Sequence, residues 1–160
     1  MRQRSLDSLQ IIHNMLEQDP GRRLLAVAAE EDVGVLVRVP HSSGLLEGKF
    51  TEDTTFPATD HRSHRPREWL IDGLKKLERL RFLHEGAGRT IGQAALQWLI
   101  ATPDIASTLP NIYDAEQLEE FAAASDTPTL DEDELSHIAG LYEHNFGLQT
   151  GLEETAAQRG

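Results

Sequence analysis

Cysteine is absent from the 160 residues, and with it go disulfides, zinc–thiolate sites, iron–sulfur clusters and thiol nucleophiles. Long apolar runs are absent too: none approaches the roughly 18 residues of a membrane span. The start, Met1 to Leu9, mixes charged and polar groups where a secretory leader needs an apolar stretch, so the expectation is a cytoplasmic protein. Basic residues are few, 15 Lys and Arg against 27 Asp and Glu, for a formal charge of −12. Nucleic acid and anionic membrane both require a basic surface, so neither is expected as a partner. What remains is an ordinary globular balance, 39% hydrophobic and 26% charged, in a chain long enough for one domain with a sizeable core.

Three strands are expected: Ser8 to His13, Val33 to Val39, and Ile105 to Leu109. The run Val33-Gly34-Val35-Leu36-Val37 is nearly continuous in β-branched and apolar residues, the pattern of a strand covered on both faces. Asp19-Pro20 opens a helix that carries Leu24, Leu25, Val27 and Ala28 and ends near Glu31. Glu47 to Arg65 is polar and without period. Arg67 to His84 is helical, with Leu70, Leu74 and Leu77 at helical spacing, and Gly86-Ala87-Gly88 stops it. Thr90 with Gln93 caps an apolar helix through Ile100. Asp114 with Gln117 caps one from Ala115 to Ala124, and Thr129 with Glu132 caps a last one. From Gly147 onward the weak patterning suggests a mobile tail, which leaves 1–146 as the folded unit.

Alternating strands and helices imply parallel strands with crossover connections. A three-stranded parallel sheet, however, has two open edges and too little surface for its helices. Such a chain either pairs with something or forms part of a larger barrel.

Three stretches carry a resemblance. "DSLQIIHNMLEQ" (Asp7 to Gln18), "VGVLVRVPHSSGLLEGKF" (Val33 to Phe50) and "RTIGQAALQWLIATPDIASTLPNIYDAEQLEEF" (Arg89 to Phe121) resemble, in order, the sixth, seventh and eighth strand units of aldo-keto reductases. The resemblance covers about Asp7 to Tyr142. It implies α/β architecture: part of a (β/α)₈ TIM barrel, about three parallel βα units plus extra helices. It also implies hydride transfer between NAD(P)H and a carbonyl. The family's proton-transfer tetrad of Asp, Tyr, Lys and His lies on earlier strands. Tyr113, Tyr142 and His13 do not match it, so no catalytic residue is assigned and no turnover is expected from this chain alone.

The resemblance also implies cofactor-binding positions. Gln10 stands where a family glutamine meets the nicotinamide carboxamide, with a solvent-facing strand end as the alternative. Arg38 replaces an aromatic that stacks on the nicotinamide, a role a guanidinium can fill. Pairing with Glu31 or Asp32 is the other reading. His41, Ser43 and Gly44 follow the strand at the end where barrel sites lie, and suit close approach to a pyrophosphate.

In His61 to Arg67, "HRSHRPR", the residues Arg62, Arg65 and Arg67 are candidate phosphate clamps, or simply charges of a solvated loop. His61 and His64 lack further ligands, so no metal is assigned. Asn111, Gln117 and Glu120 fall at the adenosine end. Asp114 there, without a basic partner, would repel a 2′-phosphate, and Phe121 replaces an adenine-binding asparagine. NAD is therefore favoured over NADP, with no nucleotide at all left open. The expected partners are a nicotinamide nucleotide, a small carbonyl substrate if the missing barrel half completes the site, and a second copy of the chain. The alternative to an oxidoreductase portion is a noncatalytic half-barrel that pairs through its open edges.

Overall fold

The computed structural model describes residues 6–148; of the expected tail, 149–160 lie outside them. Strands β1 (Ser8–Ile12), β2 (Gly34–Arg38) and β3 (Ile105–Leu109) form one parallel sheet in the order β1-β2-β3. Helix α1 (Gly21–Glu30) joins β1 to β2, and α2 (Arg67–Arg79) and α3 (Ile91–Ile100) lie between β2 and β3. Helices α4 (Ala115–Ala122) and α5 (Glu132–Glu143) follow. The alternation read from periodicity is thus the observed α/β order, and the sheet is open.

Side chains alternate across a strand, and here the alternation separates two environments. Ile11, Val35, Val37 and Ile105 are buried with Leu25 and Ala28 of α1 and Leu99 of α3. The opposite face shows two registered rows, Gln10–Leu36–Ser107 and Ile12–Arg38–Leu109. It is largely accessible: Ile12 and Leu109 are 45% and 43% exposed, and Arg38 is exposed. The expectation that Val33 to Val39 is covered on both faces is therefore corrected. Among the described residues β2 has one closed face, with Val35 and Val37 buried, and one more open, with Leu36 half-buried and Arg38 exposed. A register shift between Val35 and Leu36 steps past Ala106. That shift puts Ser107 and Leu109, rather than Thr108, on the accessible face.

A second core lies beyond the strand ends, where Met15, Leu16, Leu45 and Leu46 of the loops meet Leu70, Leu80, Ile91, Ile138 and Phe146. Helix ends account for three further differences from expectation. Pro20 is the N-cap of α1, and Gly21 its first residue. Gly21 is demanded by close packing, because a Cβ there would fall 2.2 Å from His13 Nδ1. Helix α2 stops at Arg79 and continues as a 3₁₀ turn, Arg81–Leu83, before Gly86. The last helix is capped by Asp131 with Glu134, in a reciprocal box, not by Thr129 with Glu132. The Thr90–Gln93 box of α3 is observed as read.

Candidate functional site

At the carboxyl ends of the strands, a cleft of about 370 Å³ is lined by Gln10, Arg38, Val39, Ser43, His61, Leu109 and Asn111. Each arrives from its own segment. Gln10 comes from β1, Arg38 from the end of β2 and Leu109 from the end of β3, with Asn111 just beyond. Ser43 belongs to a 3₁₀ segment, Ser42–Glu47, and His61 opens another, His61–His64. A larger groove of about 810 Å³ runs along α2. There Arg81 pairs with both Glu78 and Glu85, and Lys75 with Asp72, and no strand end opens into it.

The backbone entering the cleft is strained. Val39 has φ of 58°, Ser42 48° and Ser43 57°, and Gly44 follows at 99°. A left-handed β-branched residue is an outlier that persists only where its surroundings hold it. The holder is Asn14, just after β1. Its Nδ2 donates to the Val39 carbonyl at 3.0 Å and to Glu17 Oε2 at 2.9 Å. Its Oδ1 accepts from the amides of Leu16 and Glu17. Glu17 in turn accepts from Ser42 Oγ at 3.2 Å. At Gly44, besides the positive φ, a Cβ would come within 2.8 Å of the Phe50 ring.

Of the eight cofactor-binding candidates, Gln10, Arg38, Ser43 and Asn111 meet in this cleft. Gly44 adjoins it. His41, Gln117 and Glu120 are engaged elsewhere. His41 is buried and stacked on Phe121 with ring centroids 4.3 Å apart. Its Nε2–H donates to the Gly92 carbonyl at 3.1 Å, and burial pushes its pKa down to about 4.

Gln117 is buried; its Oε1 accepts from the Tyr113 amide and its Nε2 donates to Glu47 Oε2 at 3.0 Å. The box at Asp114 is therefore only half formed: Asp114 Oδ1 accepts from the Gln117 amide, while the Gln117 side chain returns to Tyr113. Burial raises the pKa of Glu47. Glu120 Oε1 accepts from Thr90 Oγ1 at 2.5 Å. Phe121 is core, whereas Leu118 is 53% exposed.

The loop arginines are likewise occupied. Arg62 donates from Nε and Nη2 to both carboxylate oxygens of Asp60, and from Nη1 to the Ser43 carbonyl at 3.3 Å. Its guanidinium lies over Phe50 and Phe56. The hydrogen bonds from Arg62 pull Asp60 down to about 2. Arg65 stacks on Trp69, and Arg67 donates to the Thr54 carbonyl. Arg62 is thus a clasp that pins the loop to Ser43.

Sequence reasoning missed Asn14 as the support of Val39. It also missed Arg89, a buried guanidinium that donates to the carbonyls of Leu83 and Pro128 and pairs with Glu134. A polar residue directly after β1, followed by apolar Met15-Leu16, was the available signal for Asn14.

A parallel α/β chain with a cleft at the carboxyl ends of its strands is the arrangement of barrel and doubly wound proteins, whose ligands bind at that end. The chain belongs to the aldo/keto reductase family, whose pattern matches residues 3–143. It is 31% identical over 121 residues to L-glyceraldehyde 3-phosphate reductase of Escherichia coli O157:H7, covering 72% of this chain and 35% of that protein. It is 26% identical over 157 residues to aldo-keto reductase YhdN of Bacillus subtilis (strain 168), covering 92% and 46%. Among solved structures it resembles glycerol dehydrogenase AKR11B4 of Gluconobacter oxydans, with a TM-score of 0.70, 19% identity, and coverage of 89% of this chain and 44% of that one. The holo form of aldo-keto reductase AKR11C1 from Bacillus halodurans matches with a TM-score of 0.60 at 21% identity, covering 88% and 43%. The chain therefore spans less than half the length of these relatives. Among the described residues no helix is long and apolar enough to cross a membrane.

Proposed function

We propose that this chain is the C-terminal, cofactor-binding portion of an aldo-keto reductase barrel, which contributes the sixth to eighth strand units to hydride transfer between a nicotinamide nucleotide and a carbonyl. The observation that carries this reading is the convergence of Gln10, Arg38, Ser43 and Asn111 at the strand ends. These groups fit a nicotinamide nucleotide, which presents an amide, hydroxyls and a diphosphate to hydrogen-bond donors and a cation. When bound, the nucleotide would supply the hydride. The chain's own task is to hold it: Gln10 and Asn111 offer amides, Ser43 a hydroxyl, and Arg38 a planar cation.

The adenosine end is less well provided, since Gln117 and Glu120 already have partners within the fold. Near α4 the first turn carries Glu116 and no basic residue, which disfavours a 2′-phosphate and supports NAD over NADP. Arg38, His61 and neutral polar groups line the cleft, without a tyrosine, lysine or aspartate to transfer the substrate proton. The chain alone is therefore proposed to be inactive.

Calorimetric titration of the purified chain with NADH and NADPH, followed by a carbonyl-reduction assay, tests the reading. Weak binding with NADH ahead of NADPH, and turnover only after a polypeptide carrying the five preceding strand units is added, is the expected result. Robust turnover by the chain alone would overturn it. A second reading, a noncatalytic half-barrel that pairs with its own kind, is favoured by the exposed Ile12 and Leu109 on the uncovered sheet face.

A further inference from the structure

We infer that the cleft is an anion site built on Arg38, which takes the phosphate or diphosphate group of its ligand. The inference deepens the reading above and rests on it for the position of the ligand, but its argument is the charge of the cleft.

In this chain of net charge −12, Arg62, Arg81 and Arg89 pair with carboxylates, and Arg65 and Arg67 are held by the Trp69 ring and the Thr54 carbonyl. Arg38 has no ion-pair partner among the described residues, is exposed at the end of the central strand, and is the arginine that lines the cleft. The register explains the missing partner. Its neighbours in the row are Ile12 and Leu109, whose side chains can neither neutralise it nor accept a hydrogen bond from it. The adjoining row holds Gln10, Leu36 and Ser107. The accessible face of the sheet therefore carries one charge, and that charge is positive.

The lining of the cleft around it carries no carboxylate. Gln10, Ser43 and Asn111 supply donors, and Asp60, 3.6 Å from the His61 ring, is held by Arg62. The preceding arginine candidates for this duty are spent, because Arg62 is locked to Asp60 and Ser43. A planar guanidinium with its fork unoccupied is suited to a phosphate held by two parallel hydrogen bonds. The left-handed Val39 next to it, pinned through Asn14, fixes the backbone from which Arg38 projects. Such fixed geometry lowers the ordering cost of binding.

The experiment follows amide resonances of the isotope-labelled chain during titration with sodium pyrophosphate, inorganic phosphate, neutral nicotinamide and NADH. It compares the native chain with Arg38→Gln, Arg38→Lys and a control outside the cleft lining, Arg79→Gln at the end of α2. Saturable shifts at Gln10 and Asn111 with pyrophosphate are expected. Arg38→Gln should weaken that binding by about tenfold or more, Arg38→Lys by less, and Arg79→Gln not at all. The native-like spectrum of Arg38→Lys guards against misfolding as the cause.

Pyrophosphate that binds Arg38→Gln as well as the native chain, or leaves the native chain unshifted, overturns the inference. NADH binding that ignores Arg38→Gln also overturns it, while keeping the cofactor reading. Pyrophosphate binding that depends on Arg38 with no added affinity for NADH keeps the anion site and sinks the cofactor reading. NADH binding that exceeds pyrophosphate and depends on Arg38 assigns the anion to the nucleotide.

Discussion

His41 shows how a residue's role is decided by its surroundings. From its place after β2 it reads as a cofactor contact, yet it lies in the core with its ring against Phe121 and its Nε2–H on the Gly92 carbonyl. Burial holds its pKa near 4, against an ordinary 6.5. The unfolded chain therefore takes up a proton at a pH where the folded chain refuses it. The stability this neutral ring contributes is fully present above about pH 6.5 and is lost as the pH falls from 6.5 to about 4. A drop of that size corresponds to about 3 kcal/mol.

His13, also buried and shifted downward by desolvation, acts in the same direction. Glu47, shifted upward by burial, acts in the opposite one, and Asp60, held near 2, titrates below this window. Urea midpoints measured at pH 7 and pH 4.5 should fall markedly for the native chain and much less for His41→Gln. Equal pH dependence in the two proteins would show that His41 does not govern the acid response.

Helix caps provide the test at the scale of the element. Helix α5 begins at Glu132, and Asp131 accepts from the Glu134 amide at 2.8 Å while Glu134 accepts from the Asp131 amide. Asp131→Ala should cost about 1 kcal/mol, and Thr129→Ala close to nothing, as read from the midpoint of chemical unfolding. The reverse order would restore the cap expected from Thr129 and Glu132.

Both residues fit a capping pattern three positions from a glutamate, so pattern alone selects the wrong one. What selects Asp131 is Arg89, which reaches across 45 positions to Glu134 and to the Pro128 and Thr129 carbonyls. The same division runs through the fold. Strand identity, helix spacing and the Thr90 cap depend on residues a few positions apart, and were legible. In the site, the convergence of Gln10, Arg38, Ser43 and Asn111 came from the resemblance and its order of segments. The engagement of Arg62 with Ser43, 19 positions away, and of Gln117 with Glu47, 70 away, was not legible. Periodicity carries no information about which distant side chain occupies a donor.

At the scale of the whole molecule, the sheet has one face packed and one accessible, and both outer strands end the ladder. Ile12 and Leu109 flank Arg38 on the accessible face. Leu24 and Val27 of α1, and Leu118 of α4, are exposed on the helices that follow the two outer strands. Covering such side chains is worth about 1 kcal/mol or more for each, and an unpaired strand edge is a template for further strands. Two occupants satisfy these surfaces: strand units of the same barrel, or a second copy of this chain. Light scattering over a concentration series should show the chain associating with itself, and Ile12→Ser with Leu109→Ser should shift the mass toward that of one chain. A monodisperse single chain with cooperative unfolding would refute the argument from exposure. Adding a polypeptide of the five preceding strand units separates the occupants. If it dissolves the self-associated form and yields a one-to-one complex, the face belongs to a barrel; self-association that persists in its presence favours the paired half-barrel.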